Sequence, residues 1–224
     1  MRMESVGTQL KTEKTVTVRQ QIIDAATELF YENGFEKASL RDIARKVGVT
    51  QAAIYYHFRN KEEILYTIIE IHSNELILAL RSCLSGNADS LEKLRNTIFQ
   101  HMSLIKTSRK GAKIIIEDKR FLSGELYRLV REKEKTVYNL YRIQLEELQK
   151  NMRINDFDLT AATFGILGMI NWLYHWYRPE KRLSIEQLAK ELINILFFGF
   201  VRKGVEGVIH EGYPANKIEQ KGGN

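Results

Sequence analysis

An all-α protein is predicted, on three observations. Apolar residues recur at three- and four-residue spacing through most of the 224 residues. No stretch alternates with period two for long enough to form a sheet. Only two prolines occur, Pro179 and Pro214, so long helices can run without interruption.

The first helix is predicted over Val18–Asn33, with Ile22, Ile23, Ala26, Leu29 and Phe30 at helical spacing. Gly34 supplies the residue that ends it, and Phe35 follows as an apolar lid. Ser39 opens the second helix, and Asp42 three residues later completes a capping box. Leu40, Ile43, Ala44 and Val47 form its inner face, and Gly48 stops it. Thr50 caps a short third helix, Gln51–Phe58. Asn60, with Glu63, opens a fourth that continues to about Ser82, before Gly86 and Asn87 break the pattern.

Longer helices follow. Asp89 and Glu92 open one covering Leu91–Ile105, and Lys110–Arg120 is a shorter one. Ser123–Met152 reads as a single long helix whose Glu, Lys and Arg run is a solvated face. Asp158 caps Leu159–Tyr177, and Arg178-Pro179 ends it, because the residue before proline avoids helical geometry. Ser184 and Gln187 form another capping box and open Ile185–Lys203. Residues 1–17 and 211–224 lack periodicity and are expected to be flexible tails.

Composition narrows the class. Hydrophobic residues at 44% and charged residues at 28% suit a globular protein with a real core. The net charge is +6. Residues 1–61 hold ten Lys/Arg against seven Asp/Glu, so half of that excess lies in about a quarter of the chain. A basic balance suits a polyanionic partner. The single cysteine, Cys83, permits no intrachain disulfide, and a cytoplasmic location is expected. The richest apolar runs, Thr163–Tyr177 and Ile193–Val201, fall short of the ~20 residues of a membrane span. No nucleophile elbow, H-E-x-x-H or phosphate-binding loop occurs. The histidines at 57, 72, 101, 175 and 210 are scattered, so neither an enzyme nor a metal site is expected.

The functional signal lies in Ser39–Lys61, SLRDIARKVGVTQAAIYYHFRNK. Two short helices joined at Gly48-Val49 are the helix-turn-helix plan, whose second helix enters the major groove. On a wheel of roughly 100° per residue, Ile54 and Phe58 face inward. Ala52 and Tyr56 lie nearly opposite, with Gln51 and Tyr55 on a flank. Glutamine can pair bidentately with adenine, and alanine can meet a thymine methyl. Tyr56, His57, Ser39, Arg41 and Lys61 can bond phosphate oxygens.

These residues resemble the TetR family of regulators. The resemblance runs over about residues 18–65. It is carried by Asn33-Gly34-Phe35, Ser39-Leu40-Arg41-Asp42-Ile43-Ala44, Gly48-Val49-Thr50, Ile54-Tyr55-Tyr56-His57-Phe58, Asn60-Lys61 and Leu65. It implies a DNA-binding domain over 18–65 and a ligand-binding and dimerisation domain over 66–210. Base-facing positions would be Gln51, Ala52, Ala53 and Tyr55, with Thr50 at the start of the recognition helix. Phosphate-contacting positions would be Ser39, Arg41, Tyr56, His57 and Lys61. The two alanines are smaller than many members carry, which leaves more of the readout to DNA shape. A homodimer on a palindromic operator is implied, paired through Leu159–Tyr177 and Ile185–Lys203. Gly165 and Gly168 permit close helix approach, and Leu188, Leu192, Ile195, Leu196 and Phe200 form an apolar stripe.

The segment Asn171–Pro179 with Leu183-Ser184 is similar to a subgroup that controls fatty-acid, steroid or aromatic-acid degradation and responds to acyl-CoA thioesters. That likeness implies an apolar tunnel lined by Phe164, Leu167, Trp172, Tyr174 and His175, with Arg178, Lys181 and Arg182 at its mouth for the CoA phosphates. A drug or signalling compound is the alternative effector. On the bland reading, the aromatic residues only fill the core and Arg178 caps a helix.

Overall fold

The computed structural model describes residues 17–198, apart from Gly86, residues 153–156, Pro179 and residues 181–182. The described residues are helical, with turns between. Three short helices come first: α1 (Val18–Asn33), α2 (Leu40–Val47) and α3 (Gln51–His57). Each start is fixed by a side-chain cap. The Thr17 hydroxyl accepts from the Gln20 amide, and Thr50 from that of Ala53, both at 3.2 Å. Ser39 and Asp42 exchange backbone-to-side-chain bonds in the expected capping box. At the other end of α2, Gly48 takes the left-handed conformation, φ 80°, that an L side chain would strain.

The long helix α4 (Lys61–Leu84) is capped by Asn60, which accepts from Glu63 at 2.8 Å. Then come α5 (Ser90–Thr107), α6 (Arg109–Glu117), a 3-10 turn at Lys119–Phe121, and α7 (Gly124–Met152). The chain closes with α8 (Leu159–Asn171), the four-residue α9 (Leu173–Trp176) and α10 (Ile185–Phe198). No helix among the described residues is long and apolar enough to cross a membrane.

Two apolar cores result, and α4 runs through both. The first gathers Ile22, Phe30, Ile43, Ile54 and Phe58 with Leu65, Ile68 and Ile69 of α4. It also takes Ile114, Leu122 and Val130 from the far half of the chain. Packing therefore continues across the 65/66 boundary expected from the pattern. The second core joins Leu80 to Ile98, Met102, Tyr141, Ile170, Leu173 and Leu188. At ~1.5–3 kcal/mol for each large side chain fully buried, the first core is what sets the recognition helix against α1 and α4.

Two helices differ from their expectation: Lys110–Arg120 stops at Glu117, with a 3-10 turn beyond it. Leu159–Tyr177 is interrupted at Trp172, and α9 continues as a separate turn. Lys181, Arg182, Phe200 and the two expected tails, 1–17 and 211–224, lie outside the described residues, except Thr17, which caps α1.

Candidate DNA interface and effector cavity

The outward face of α3 is the one the helical wheel predicts. Ile54 and Phe58 are buried at 0% and 1% exposure, while Tyr55 and Tyr56 stand out at 54% and 86%. Gln51 and Ala52 are exposed beside them, with Thr50 exposed at the cap and Ala53 half-buried. His57 is half-buried, its ring edge against Tyr56 at 5.0 Å. An 86% exposed tyrosine contributes little to the core, so its hydroxyl is free for a partner outside the chain.

Three of the expected phosphate binders behave differently from one another. Arg41 is exposed on α2. Ser39 is engaged within the capping box, and its hydroxyl and amide hold the Asp42 carboxyl below the usual range, with Arg45 and Arg41 adding to the effect. Lys61 turns inward. Its ammonium donates to the carbonyls of Phe35, Glu36 and Ala38 at 2.7, 3.2 and 2.9 Å, and sits 4.2 Å from the centre of the Phe35 ring. It thus ties the turn after α1 to the start of α4. The first-turn amides of Lys61 and Glu62 have no intrahelical acceptor at this helix start.

Between α4, α5, α6, α7 and α8 lies a cavity of about 700 Å³. Leu76, Leu104, Ile105, Ala112, Ile115, Ile116, Val137, Phe164 and Leu167 make an apolar lining, interrupted by His72, Ser73, His101, Ser108 and Asn171. Burial pushes His101 down to about 4, so it is neutral at physiological pH. Its Nδ1 lies 3.1 Å from the Tyr141 hydroxyl. The rim carries Lys119, Arg131, Lys133 and Lys135 together with Glu132 and Glu134. Several of these charges are paired: Lys119 and Arg131 both bond Glu134, and Lys133 bonds Asn74 at 2.7 Å.

Phe164 and Leu167 line the cavity as expected from the sequence. Trp172, Tyr174, His175 and Arg178 lie outside it, because the break after α8 turns the chain away. Trp172 is 56% exposed and stacks on His175 at 4.5 Å. Tyr174 is buried but directed at α6: its hydroxyl donates to Glu117 at 3.0 Å, and its carbonyl accepts from Arg109 at 3.0 Å. Arg178 donates to the carbonyls of His175 and Tyr177, both at 3.1 Å, and so caps α9. Sequence reasoning missed the walls supplied by α4 to α7. His72 and His101, polar groups on apolar helix faces, were the available signal.

The cavity and the recognition helix share a structural neighbour. α6 lines the cavity with Ala112, Ile115 and Ile116 and sends Ile114 into the first core. Lys110 pairs with Glu28 on α1, and Lys113 donates to the Tyr31 carbonyl at 2.8 Å. Just beyond α6, Phe121 stacks on the Phe35 ring at 5.3 Å.

Two family models match stretches of the chain. Residues 22–67 fit the model of bacterial regulatory proteins of the tetR family, and residues 87–200 fit the tetracyclin repressor-like C-terminal domain. The chain belongs to the TetR family. Within it, the chain is 28% identical over 185 residues to the fatty acid metabolism regulator protein of Bacillus subtilis, covering 82% of this chain and 95% of that one. It is 26% identical to the transcriptional repressor KstR2 of Rhodococcus jostii, over 81% of this chain and 90% of the relative. Among solved structures, AibR in complex with isovaleryl coenzyme A and operator DNA superposes with a TM-score of 0.75 at 26% identity, covering 81% of this chain and 98% of AibR. As a TetR-family chain, this protein is a DNA-binding transcriptional regulator of the helix-turn-helix type.

Proposed function

We propose that the protein is a homodimeric repressor released from a palindromic operator by an acyl-CoA thioester. The observation that carries this reading is a single helix, α6, which walls the 700 Å³ cavity and is fastened to α1 of the helix-turn-helix unit. A cavity of that size and apolar character suits an acyl chain. The relatives named for fatty-acid metabolism, and AibR with its isovaleryl coenzyme A, support the ligand class. Two α3 helices of a dimer would enter successive major grooves, roughly 34–36 Å apart. Gln51, Ala52, Ala53 and Tyr55 would meet bases, with Thr50 at the helix start. Arg41, Tyr56, His57 and the amides at Lys61 would meet phosphates. Effector in the cavity would favour a dimer with the wrong helix spacing. No catalytic step is part of this reading.

The test is a panel of acyl-CoA thioesters of increasing chain length, read by melting temperature and by operator release. A rise in melting temperature with loss of operator binding supports the reading. A panel without effect on either contradicts it. One observation favours a different effector: three of the four rim cations, Lys119, Arg131 and Lys133, already pair with Glu134 or Glu70, which suits a ligand without phosphates. Response to an uncharged hydrophobic compound, but not to its CoA ester, would select that reading.

A further inference from the structure

One end of the cavity is closed by a polar network rather than by apolar side chains. Along α7 the lining runs from the charged rim, Arg131–Lys135, through Val137 and Tyr138. It stops before Tyr141, which stands eight residues beyond Lys133, about 12 Å along the helix. At that end His101 of α5 lines the cavity, and only 4% of it is exposed. Behind its ring, the Tyr141 hydroxyl lies 3.1 Å from Nδ1 and 3.4 Å from the Thr97 carbonyl. The Thr97 hydroxyl lies 2.9 Å from Gln144 Oε1, and the Gln144 amide donates to the Leu140 carbonyl at 2.9 Å. Thr97, Tyr141 and Gln144 are all buried behind the lining.

This network fixes which ring nitrogen meets the cavity. The Thr97 carbonyl already takes the helical bond from the His101 amide, and it is the farther of the two acceptors near the Tyr141 hydroxyl. The hydroxyl therefore donates to Nδ1, and the neutral ring carries its own proton on Nε2. Among the described residues, the one hydrogen bond of the His101 ring is that at Nδ1. Nε2 is not one of the side-chain atoms shut off from solvent without a partner, which are His72 Nδ1 and Tyr177 Oη. It therefore keeps accessible surface, and the open space that His101 borders is the cavity. Buried donors in native proteins are nearly always satisfied, so this one needs an acceptor from outside the chain.

We propose that His101 reads an oxygen at the far end of the effector's acyl chain, its Nε2–H donating to a hydroxyl or keto oxygen there. The charged rim and His101 lie at opposite ends of the lining along α7, so a thioester whose CoA stays at the rim brings the tip of its chain to His101. Leu104, Val137 and Leu167 line the same cavity and suit the methylenes. The proposal rests on the acyl-CoA reading of the cavity and narrows it to acyl groups oxygenated at the tip.

Calorimetric titration of octanoyl-, decanoyl- and dodecanoyl-CoA, each against its ω-hydroxy counterpart, tests it. At the length that reaches His101, the wild type is expected to bind the ω-hydroxy compound about tenfold more tightly, the value of one good hydrogen bond to a buried group. His101→Asn keeps an atom near the Nδ1 position for Tyr141 and removes Nε2. It should bind the plain acyl-CoA as before and reverse the preference, because the hydroxyl is then buried without a partner. His101→Gln places an amide near the Nε2 position and should keep part of the preference. Binding of the plain compound by each variant reports an intact cavity. A wild type that binds the plain acyl-CoAs but favours no ω-hydroxy compound at any length overturns the role of His101 while leaving the cavity reading intact, and it does so without any variant. A tenfold preference that persists in His101→Asn also overturns it. Failure of every CoA compound to bind the wild type overturns the cavity reading and the proposal together.

Discussion

Lys61 and Tyr56 lie five residues apart, and their side chains take opposite directions. The lysine spends its donors on three backbone carbonyls, while the tyrosine is left to solvent. Lys61→Met should therefore cost about 1–3 kcal/mol of folding stability, measured by urea denaturation, with little change in the salt slope of DNA binding. Tyr56→Phe should leave stability unchanged and weaken operator binding by about tenfold, the loss of one hydrogen bond to a charged oxygen. The inward turn of Lys61 could not be read locally, since its acceptors lie 23 to 26 residues away in the chain. The wheel positions of Ile54, Phe58, Tyr55 and Tyr56 were legible, because helical periodicity alone fixes them. His101 adds a pH dependence. Its folded value of about 4 lies below the ordinary 6.5, so between these the unfolded state binds more protons and stability falls as pH drops. The full contribution is about 3 kcal/mol. His101→Gln should lose less stability than wild type between pH 6.5 and 4, measured by denaturant titration at each pH.

Among the helices, α6 links the two halves of the molecule. It touches the cavity on one face and α1 on another, and Gly111 lets the His72 ring come close. Removing its fastenings should separate sensing from response. Lys110→Ala with Lys113→Ala is expected to leave effector affinity within about twofold. The effect of effector on operator affinity, typically 5–150-fold in coupled systems, should shrink toward none. Calorimetry for the ligand and anisotropy for the operator would check the two halves separately. The sequence showed α6 as a short helix but not its role, because cavity walls and inter-helix ties depend on tertiary placement. Capping residues gave the starts of α2, α3, α4 and α8, where the signal is a hydrogen bond three residues long. The break at Trp172 carried no such signal, and four expected ligand residues fell outside the cavity with it.

For the molecule as a whole, the face of α8 and α9 is left uncovered by the described residues. Phe164, Trp172 and Trp176 are 61%, 56% and 46% exposed, and nothing lies within 4 Å of a Cβ added at Gly165 or Gly168. A homodimer paired on this face would bury those rings. Gly165→Arg places bulk and charge there without disturbing the protomer's own packing. It should shift the protein to monomer in sedimentation velocity and lower operator affinity by about 10²-fold or more, since the two half-sites would no longer be bound as one. The central claim is that occupancy of the cavity controls DNA binding. Its most direct test begins with the operator that the protein selects from a random-sequence library. Affinity for that DNA is then measured by fluorescence anisotropy with and without a saturating acyl-CoA. A fall of about 5–150-fold is the predicted result. An acyl-CoA that binds the protein in the cavity yet leaves operator affinity unchanged would contradict the account.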